Sequence, residues 1–359
     1  MGFRYIGSKS NLIQVLLARI SEIVPPASRV TDLMAGTGAV SAALRKAGYR
    51  VTAVDVMTYS YHHCIVALMF TGYPKFVKLA SFAKKGKVGK EMLLPTTRYE
   101  EILNALVNLP PTKGYFFKEF SLGGSPANGQ RPRNYFSPEN AMAIDSIRYK
   151  VSQFHDSGEI NNLEYSLLLH DLIMAANDVA NIAGTYGHYL SVLRGRAKAR
   201  IQLKPTALII RNDANSHKVM QGYAENLSSK IECDVCYIDP PYMKRQYAAN
   251  YHVLETLARG DEPVAVGVSG LRPWRDQYSN FCTKTKIRGS FSSIFENMKT
   301  DKFLISYSED GLLKIHDMVT FFENYGKVEI NKFHNLRFKS NDSKLDKKLT
   351  EYLIFIRRN

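Results

Sequence analysis

A short run near the middle of the chain joins a rigid backbone to groups that can do chemistry. Residues 234–242 read Asp-Val-Cys-Tyr-Ile-Asp-Pro-Pro-Tyr. The apolar part predicts a buried strand, and the prolines end it because neither can donate a backbone hydrogen bond. The residue before each proline is driven to extended geometry. We therefore expect Asp239, the Pro240 carbonyl and the Tyr242 ring at the carboxyl end of a strand, where open α/β sheets bind ligands.

Two rigid acceptors beside an aromatic ring suit a flat base that carries an exocyclic amine. An ordinary Pro-Pro turn after a strand would have the same sequence. The rest of the chain therefore decides between a binding site and a plain turn.

A strand, a glycine turn and a helix are predicted in succession near the start of the chain. The strand at 29–34 carries Asp32 and is followed by Ala-Gly-Thr-Gly at 35–38, where glycines let a ligand approach the backbone. A second strand, at 51–55, ends in Asp55, a position suited to both hydroxyls of a ribose. This pattern predicts a nucleoside cofactor, with a generic βαβ unit as the alternative. Ahead of it, Gly7-Ser8-Lys9 opens a predicted helix and suits either an anion or a plain helix cap.

Composition points to a polyanionic partner. The 359 residues carry a formal net charge of +15, which favours a protein that binds nucleic acid over a merely basic soluble protein. The four cysteines do not form a secreted disulfide framework or a zinc pattern, and no apolar run is long enough to span a membrane. We expect a cytoplasmic protein with buried thiols, no metal and no membrane association.

Three stretches that contain basic residues supply the candidate DNA contacts. Residues 123–133 form a predicted loop, residues 184–204 hold five basic residues and no acid, and a basic pair follows the Pro-Pro turn. Cations interleaved with aromatics suit phosphate contact and base stacking, and a solvated basic face is the alternative. The candidate DNA contacts are Arg131, Arg133, Arg194, Arg196, Lys198, Lys244 and Arg245.

Other elements are predicted from periodicity and from turn residues. Helices are expected from Ser137, with Pro138 in the first turn, and over about 161–180. Further strands are expected at 207–210, 303–307 and 352–356, the first of them leading into Asp213. The basic tract 337–348 predicts an exposed loop or hairpin arm.

With these pieces placed, the sequence resembles the D12 class of DNA adenine-N6 methyltransferases. The resemblance rests on Phe3-Arg4-Tyr5-Ile6-Gly7-Ser8-Lys9, Asp32 to Gly38, Asp55, Asp213 and the Asp239-Pro240-Pro241-Tyr242 motif, in that order. It implies a Rossmann-like class I methyltransferase fold, an α/β structure with a mixed seven-stranded sheet. Residues 1–71 and 205–359 would form the catalytic domain, and 72–204 an inserted, mainly helical target-recognition domain.

The resemblance also implies S-adenosylmethionine as the methyl donor and assigns residues to it. The implied cofactor-binding residues are Tyr5, Lys9, Asp32, Ala35, Gly36, Thr37, Gly38, Asp55 and Asp213. Asp32 would bind the methionine amine, Asp55 the ribose, and Asp213 the adenine amino group of the cofactor. Met34 stands where the family often has an aromatic residue. Asp239, Pro240 and Tyr242 would be catalytic.

The function that follows is site-specific methylation of a flipped adenine in double-stranded DNA, in or derived from a restriction-modification system. Its partners would be duplex DNA and a cognate restriction endonuclease. Methylation of cytosine N4 on the same fold is the nearest alternative. A DNA-binding protein with a relic cofactor pocket is the non-enzymatic one.

Overall fold

The computed structural model describes residues 12–86, 97–336 and 348–358. Its strands are β1 Arg29–Leu33, β2 Arg50–Asp55, β3 Lys218–Gln221, β4 Val235–Ile238, β5 Lys302–Ser308, β6 Gly326–Leu336 and β7 Lys348–Arg358. Its α-helices are α1 Ile13–Ile23, α2 Ala39–Lys46, α3 Thr58–Leu68, α4 Ala80–Ala83, α5 Arg98–Val107, α6 Tyr115–Phe120, α7 Pro138–Asp156, α8 Asn162–Val179, α9 Ala224–Leu227, α10 Tyr247–Asn250, α11 His252–Arg259, α12 Ile287–Asn297 and α13 Ile315–Glu323.

The seven strands form one sheet in the order β3-β2-β1-β4-β5-β7-β6. Strand β7 is antiparallel to both of its neighbours, β5 and β6, and all other neighbouring strands are parallel. Strand β4 is buried along its whole length, and β1 and β5 nearly so, because helices cover both faces of a parallel sheet. The predicted fold class, an α/β mixed seven-stranded sheet, is confirmed.

Helices lie on both faces of this sheet. On one face, α12 and α13 pack Phe291 and Phe322 into the same core as Ile305 of β5. On the other face, Arg19 of α1 lies over the ring of Phe355 in β7. The parallel strands between these layers all end at one edge, and that edge positions the candidate site.

The chain divides into two compact units. In the described residues, the sheet unit comprises 12–68, Asp213–Ala248, 275–336 and 348–358, and the helical unit comprises 69–86, 97–212 and Ala249–Trp274. The sequence predicts that residues 249–274 belong to the catalytic domain, whereas the structure groups them with the helices. The reason is packing: α11 lies against α8, and the Leu257 carbonyl accepts a 2.7 Å hydrogen bond from Arg148.

The predicted helices of the helical unit are present where expected. Helix α7 begins after Ser137, whose hydroxyl accepts the Asn140 amide, and Pro138 occupies the first turn. Helix α8 begins with a capping box between Asn161 and Glu164. A short turn joins α7 to α8, and such turns connect neighbouring antiparallel helices.

One predicted strand is wrong and two strands were missed. Residues 207–210 form no strand, and Ile210 is 42% exposed, because this apolar run belongs to the helical unit. The third strand of the sheet is instead β3, a short edge strand with little apolar character. Strand β6 was also missed, although apolar and charged residues alternate along it. The expected arm at 337–348 lies outside the described residues except for Lys348.

Candidate active site

The candidate site lies at the edge of the sheet unit where the parallel strands end. The glycine turn at 34–38 follows β1, Asp55 ends β2, and Asp239 follows β4. Strand β1 pairs with both β2 and β4, so these three positions are neighbours along one edge. Sequence analysis expected them together, and the structure brings them together.

The glycine turn is held by its own backbone. The amides of Met34 and Ala35 both donate to the Val54 carbonyl, each over 2.9 Å. Gly36 and Gly38 have φ angles of 55° and 71°, a left-handed geometry that glycine adopts without strain. Gly38 caps α2, so the turn presents the amino end of a helix, which favours a carboxylate.

Asp55 ties the turn to the neighbouring strand. Its two carboxylate oxygens accept the amides of Gly36 and Met57, each over 2.8 Å. These bonds fix the orientation of the carboxylate. Since each oxygen has two lone pairs, the group can accept a pair of hydroxyls as well.

Asp32 is a buried acid beneath this edge. It is 1% exposed, and its carboxylate accepts the Ser41 hydroxyl over 2.5 Å. Burial, together with the nearby carboxylates of Asp239 and Asp55, raises the pKa of Asp32 to about 7, and the hydrogen bond from Ser41 opposes this rise. Three acids therefore share one region, and a bound cation would relieve their repulsion.

The Asp239 to Tyr242 motif is anchored at both ends. The Asp239 amide lies 3.4 Å from the Leu33 carbonyl of β1, and the Tyr242 carbonyl accepts the Leu312 amide over 2.9 Å. Pro240 is buried, and Asp239 and Tyr242 are half-buried. The strand end is therefore fixed at both ends of the motif, as predicted, and it carries an acid and an aromatic residue three positions apart.

Tyr307 supports the Tyr242 ring and was missed by sequence analysis. Their ring centres lie 5.9 Å apart in an edge-to-face arrangement. Tyr307 is 2% exposed, and its hydroxyl accepts the Leu313 amide over 3.0 Å. A side chain at Gly311 would meet the Tyr307 ring at 2.3 Å, so the packing there is close. The sequence offered one signal for Tyr307: it is the last residue of the predicted strand 303–307.

Polar residues next to Asp55 were missed as well. Gln277 donates to the Val56 carbonyl over 2.9 Å, and Gln221 of β3 donates to the Thr58 hydroxyl over 2.9 Å. Tyr223 donates to the Asp276 carbonyl over 2.7 Å. No sequence signal marked Gln221 or Tyr223, because β3 itself was not predicted, and none marked Gln277.

Asp213 does not lie at this edge, which corrects its predicted role. It precedes β3, at the amino ends of the strands, and its carboxylate accepts two bonds from Arg45 at 3.0 and 2.7 Å. His217 lies 3.4 Å from the same oxygen. Arg45 is fully buried in the last turn of α2, so Asp213 neutralises a structural arginine. The prediction failed because it depended on the strand at 207–210.

The candidate DNA contacts divide by burial. Arg131, Arg194, Arg196, Lys198, Lys244 and Arg245 are exposed. Arg133 is fully buried, which corrects its prediction as a DNA contact. It pairs with Glu119 over 2.6 Å and donates to the carbonyls of Gly267 and Val268. It therefore fixes the loop around residue 268 within the helical unit.

A cavity of the helical unit adjoins two of the exposed arginines. Its volume is about 280 Å³, and Arg194 and Arg196 line it together with Asn181. Arg196 lies 3.9 Å from Asp178, whereas no described carboxylate is within ion-pair distance of Arg194. Such a lining suits an anion.

The remaining predictions concern the N-terminal cofactor residues, the cysteines, metal binding and membrane spans. Tyr5 and Lys9 lie outside them. The four cysteines are buried and not in disulfides. Among the residues described, no cluster of acids, histidines and cysteines could hold a metal ion. No described helix is long and apolar enough to cross a membrane.

Comparison with known proteins identifies relatives along the whole chain. Type II methyltransferase M.FokI of Planomicrobium okeanokoites is 32% identical over 99% of this chain and 53% of its own length. Type II methyltransferase M.NlaIII of Neisseria lactamica is 31% identical over 94% of this chain and 92% of its own length. This chain thus spans about half of the first relative and nearly all of the second. Among solved structures, precorrin-6y C5,15-methyltransferase of Geobacter metallireducens GS-15 aligns over 98% of this chain and 90% of its own chain. The TM-score is 0.32 and the sequence identity 8%, so this likeness carries no argument.

The chain also matches a protein family over the residues that form the candidate site. Residues 5–321 match the D12 class N6 adenine-specific DNA methyltransferases. The matched range includes the glycine turn, Asp55 and the Asp239 motif. Methyltransferases of this family take their methyl group from S-adenosylmethionine, so the expected cofactor is confirmed. The chain belongs to the D12 class N6 adenine-specific DNA methyltransferase family.

Proposed function

We propose that this chain methylates the N6 amine of adenine within a specific sequence of duplex DNA. The observation that carries this proposal is the arrangement at the strand ends. Asp239 and Tyr242 are held beside the strand that leads into the glycine turn, and Asp32 and Asp55 lie at the same edge. A donor site and an amine-binding site are thus neighbours.

The residues present suit the donor. Asp32 and Asp55 supply negative charge and oriented acceptors for an ammonium and for ribose hydroxyls. The backbone of Gly36 to Gly38 and the start of α2 suit the carboxylate of a methionine group. The bound donor would supply an electrophilic methyl group on a positively charged sulfur. The acids of this edge lower the energy of that cation.

The acceptor base has to leave the duplex to reach this edge. Extrusion costs a few kcal/mol, and stacking of the base on Tyr242 returns about 1–3 kcal/mol. Asp239 and the Pro240 carbonyl accept the two hydrogens of N6. They draw its lone pair out of conjugation with the ring and stabilise the positive charge that develops on nitrogen.

The reaction is a direct displacement. The bound donor would give its methyl group to N6, and the electron pair of the broken carbon–sulfur bond would stay on sulfur. The proton that N6 then loses passes to Asp239 or to water. Positioning supplies much of the rate, and no covalent enzyme intermediate is required.

Target recognition is the role we propose for the helical unit. Its exposed cations Arg131, Arg194, Arg196 and Lys198 would contact DNA, and so would Lys244 and Arg245 beside Tyr242. Phosphate contacts orient the duplex, whereas base-edge contacts select the sequence. The relatives named type II methyltransferases support a cognate restriction endonuclease as the biological partner.

Sequencing DNA from a host that expresses the chain, with detection of modified bases, tests the proposal. We expect N6-methyladenine at one recurring sequence. N4-methylcytosine would favour the alternative substrate. The absence of any modification would favour a DNA-binding protein that lacks activity.

A further inference from the structure

The loop that follows the catalytic motif is fixed at both ends. At its start, the Tyr242 carbonyl accepts the Leu312 amide over 2.9 Å. At its end, the Gln246 side chain donates to the Ser279 carbonyl over 2.9 Å and accepts the Ser279 amide over 2.8 Å. We call residues 242–246 the post-catalytic loop.

The two hydrogen bonds between the Gln246 side chain and the Ser279 backbone, which we call the latch, fix the end of the loop. One side-chain amide satisfies both backbone groups of Ser279, as a strand partner would, and both bonds are short enough to be well formed. Within the loop, the Arg245 carbonyl lies 3.3 Å from the Cys282 thiol. The segment 279–282 therefore restrains the loop at two consecutive residues.

The loop that the latch restrains carries two exposed cations, two and three residues after Tyr242. Lys244 and Arg245 are both exposed, and no described carboxylate lies within ion-pair distance of either. Exposed cations on a restrained loop can bind an anion with little further loss of conformational entropy. The anion nearest to an extruded base is its own phosphodiester.

We propose that Gln246 is a positioning residue for base extrusion. Its two hydrogen bonds hold the post-catalytic loop so that Lys244 and Arg245 contact the phosphodiester of the extruded nucleotide. The proposal rests on the proposed function, because it requires a base that leaves the duplex. It gives Gln246 no contact with the donor.

The test compares Gln246→Ala with wild type on two duplexes. Both carry the recognition sequence found by sequencing, and in one of them the target adenine faces a mismatched base. A mismatched base is easier to extrude. Loss of two hydrogen bonds should lower kcat/KM about tenfold on the paired duplex. On the mismatched duplex the loss should shrink to about threefold or less, because extrusion needs less help there.

Two further measurements separate positioning from general damage. S-adenosylmethionine affinity, measured by calorimetry, should not change in Gln246→Ala. Asn297→Ala, which removes a side-chain bond to the Ser293 carbonyl in α12, should leave both duplexes unaffected. If Gln246→Ala does not fold, Gln246→Glu serves, since the carboxylate keeps the bond from the Ser279 amide and loses the donor to its carbonyl.

Equal losses on the two duplexes would overturn the proposal, since a structural defect does not distinguish them. An unchanged kcat/KM on the paired duplex would overturn it as well. A wild-type protein that methylates neither duplex would instead overturn the proposed function, and the loop assignment with it.

Discussion

At the scale of single residues, the chemistry depends on acids that are close together yet differ in surroundings. Asp32 is buried and bonded to Ser41, Asp55 is bonded to two backbone amides, and Asp239 is half-buried beside Tyr242. In the proposed function, Asp32 would lie under the donor site, Asp55 would orient the ribose of the donor, and Asp239 would accept from the target amine. This division of roles gives each acid a separate experimental signature.

Asp32 should make donor binding depend on pH. Its pKa is about 7 without ligand, so at pH 8 it is mostly ionised and at pH 6 mostly protonated. A cationic donor binds the ionised form. Affinity should therefore fall about tenfold from pH 8 to pH 6, as expected for one group of that pKa. Calorimetry at the two pH values measures this, and Asp32→Asn should bind weakly at both. A wild-type affinity that does not change with pH would contradict the role.

Tyr242 should act through its ring. Tyr242→Phe keeps the stacking surface and should stay within a few-fold of wild type in kcat/KM. Tyr242→Ala should lose about 1–3 kcal/mol of transition-state stabilisation. Tyr149→Ala, at a residue that is 71% exposed, is the control and should have no effect. Equal losses of kcat/KM in Tyr242→Phe and Tyr242→Ala would indicate that the Tyr242 hydroxyl matters instead of the ring.

At the scale of elements, predictability depended on burial. Strand β4 was predictable because its apolar run is continuous and two prolines end it. Strand β3 was not, because a short edge strand containing Lys218 and Gln221 has no run to detect. Arg133 was misassigned because charge alone does not reveal burial, and its partner Glu119 lies fourteen residues earlier in the chain.

The Asp213 correction can be tested as a stability effect. Asp213→Ala leaves buried Arg45 without its carboxylate and should lower the free energy of unfolding by about 3 kcal/mol, the low end for a buried pair because Asp213 is partly exposed. Donor affinity should stay within about twofold, since distant sites act independently. Glu232→Ala, which removes an exposed partner of Arg29, should cost at most about 1 kcal/mol. Denaturant unfolding and calorimetry measure both quantities. A large loss of donor affinity with unchanged stability would restore the original assignment.

At the scale of the whole molecule, the sequence predicts the kind of partner from its charge, but it does not predict how the chain divides into units. The net charge of +15 indicated a polyanion before any element was placed. The interleaving of the two units was not predictable, because residues 249–274 join the helical unit through packing of α11 on α8. Periodicity predicts that α11 is a helix, and it does not say which core buries it.

The exposed cations should appear in the salt dependence of DNA binding. If Arg194 contacts a phosphate, Arg194→Ala should reduce the slope of log K against log salt by about 1, with sequence preference unchanged. Lys230→Ala removes an exposed charge at the amino ends of the strands and should leave the slope unchanged. A relaxed sequence preference would show that Arg194 reads a base edge.

The most direct test is to identify the methylated nucleoside. Duplex DNA is incubated with the protein and labelled S-adenosylmethionine, then digested to nucleosides. Wild type should yield labelled N6-methyladenine. Asp239→Ala should bind the same DNA and yield none, because the amine loses its main acceptor. Label in N4-methylcytosine, or Asp239→Ala activity within a few-fold of wild type, would contradict the account.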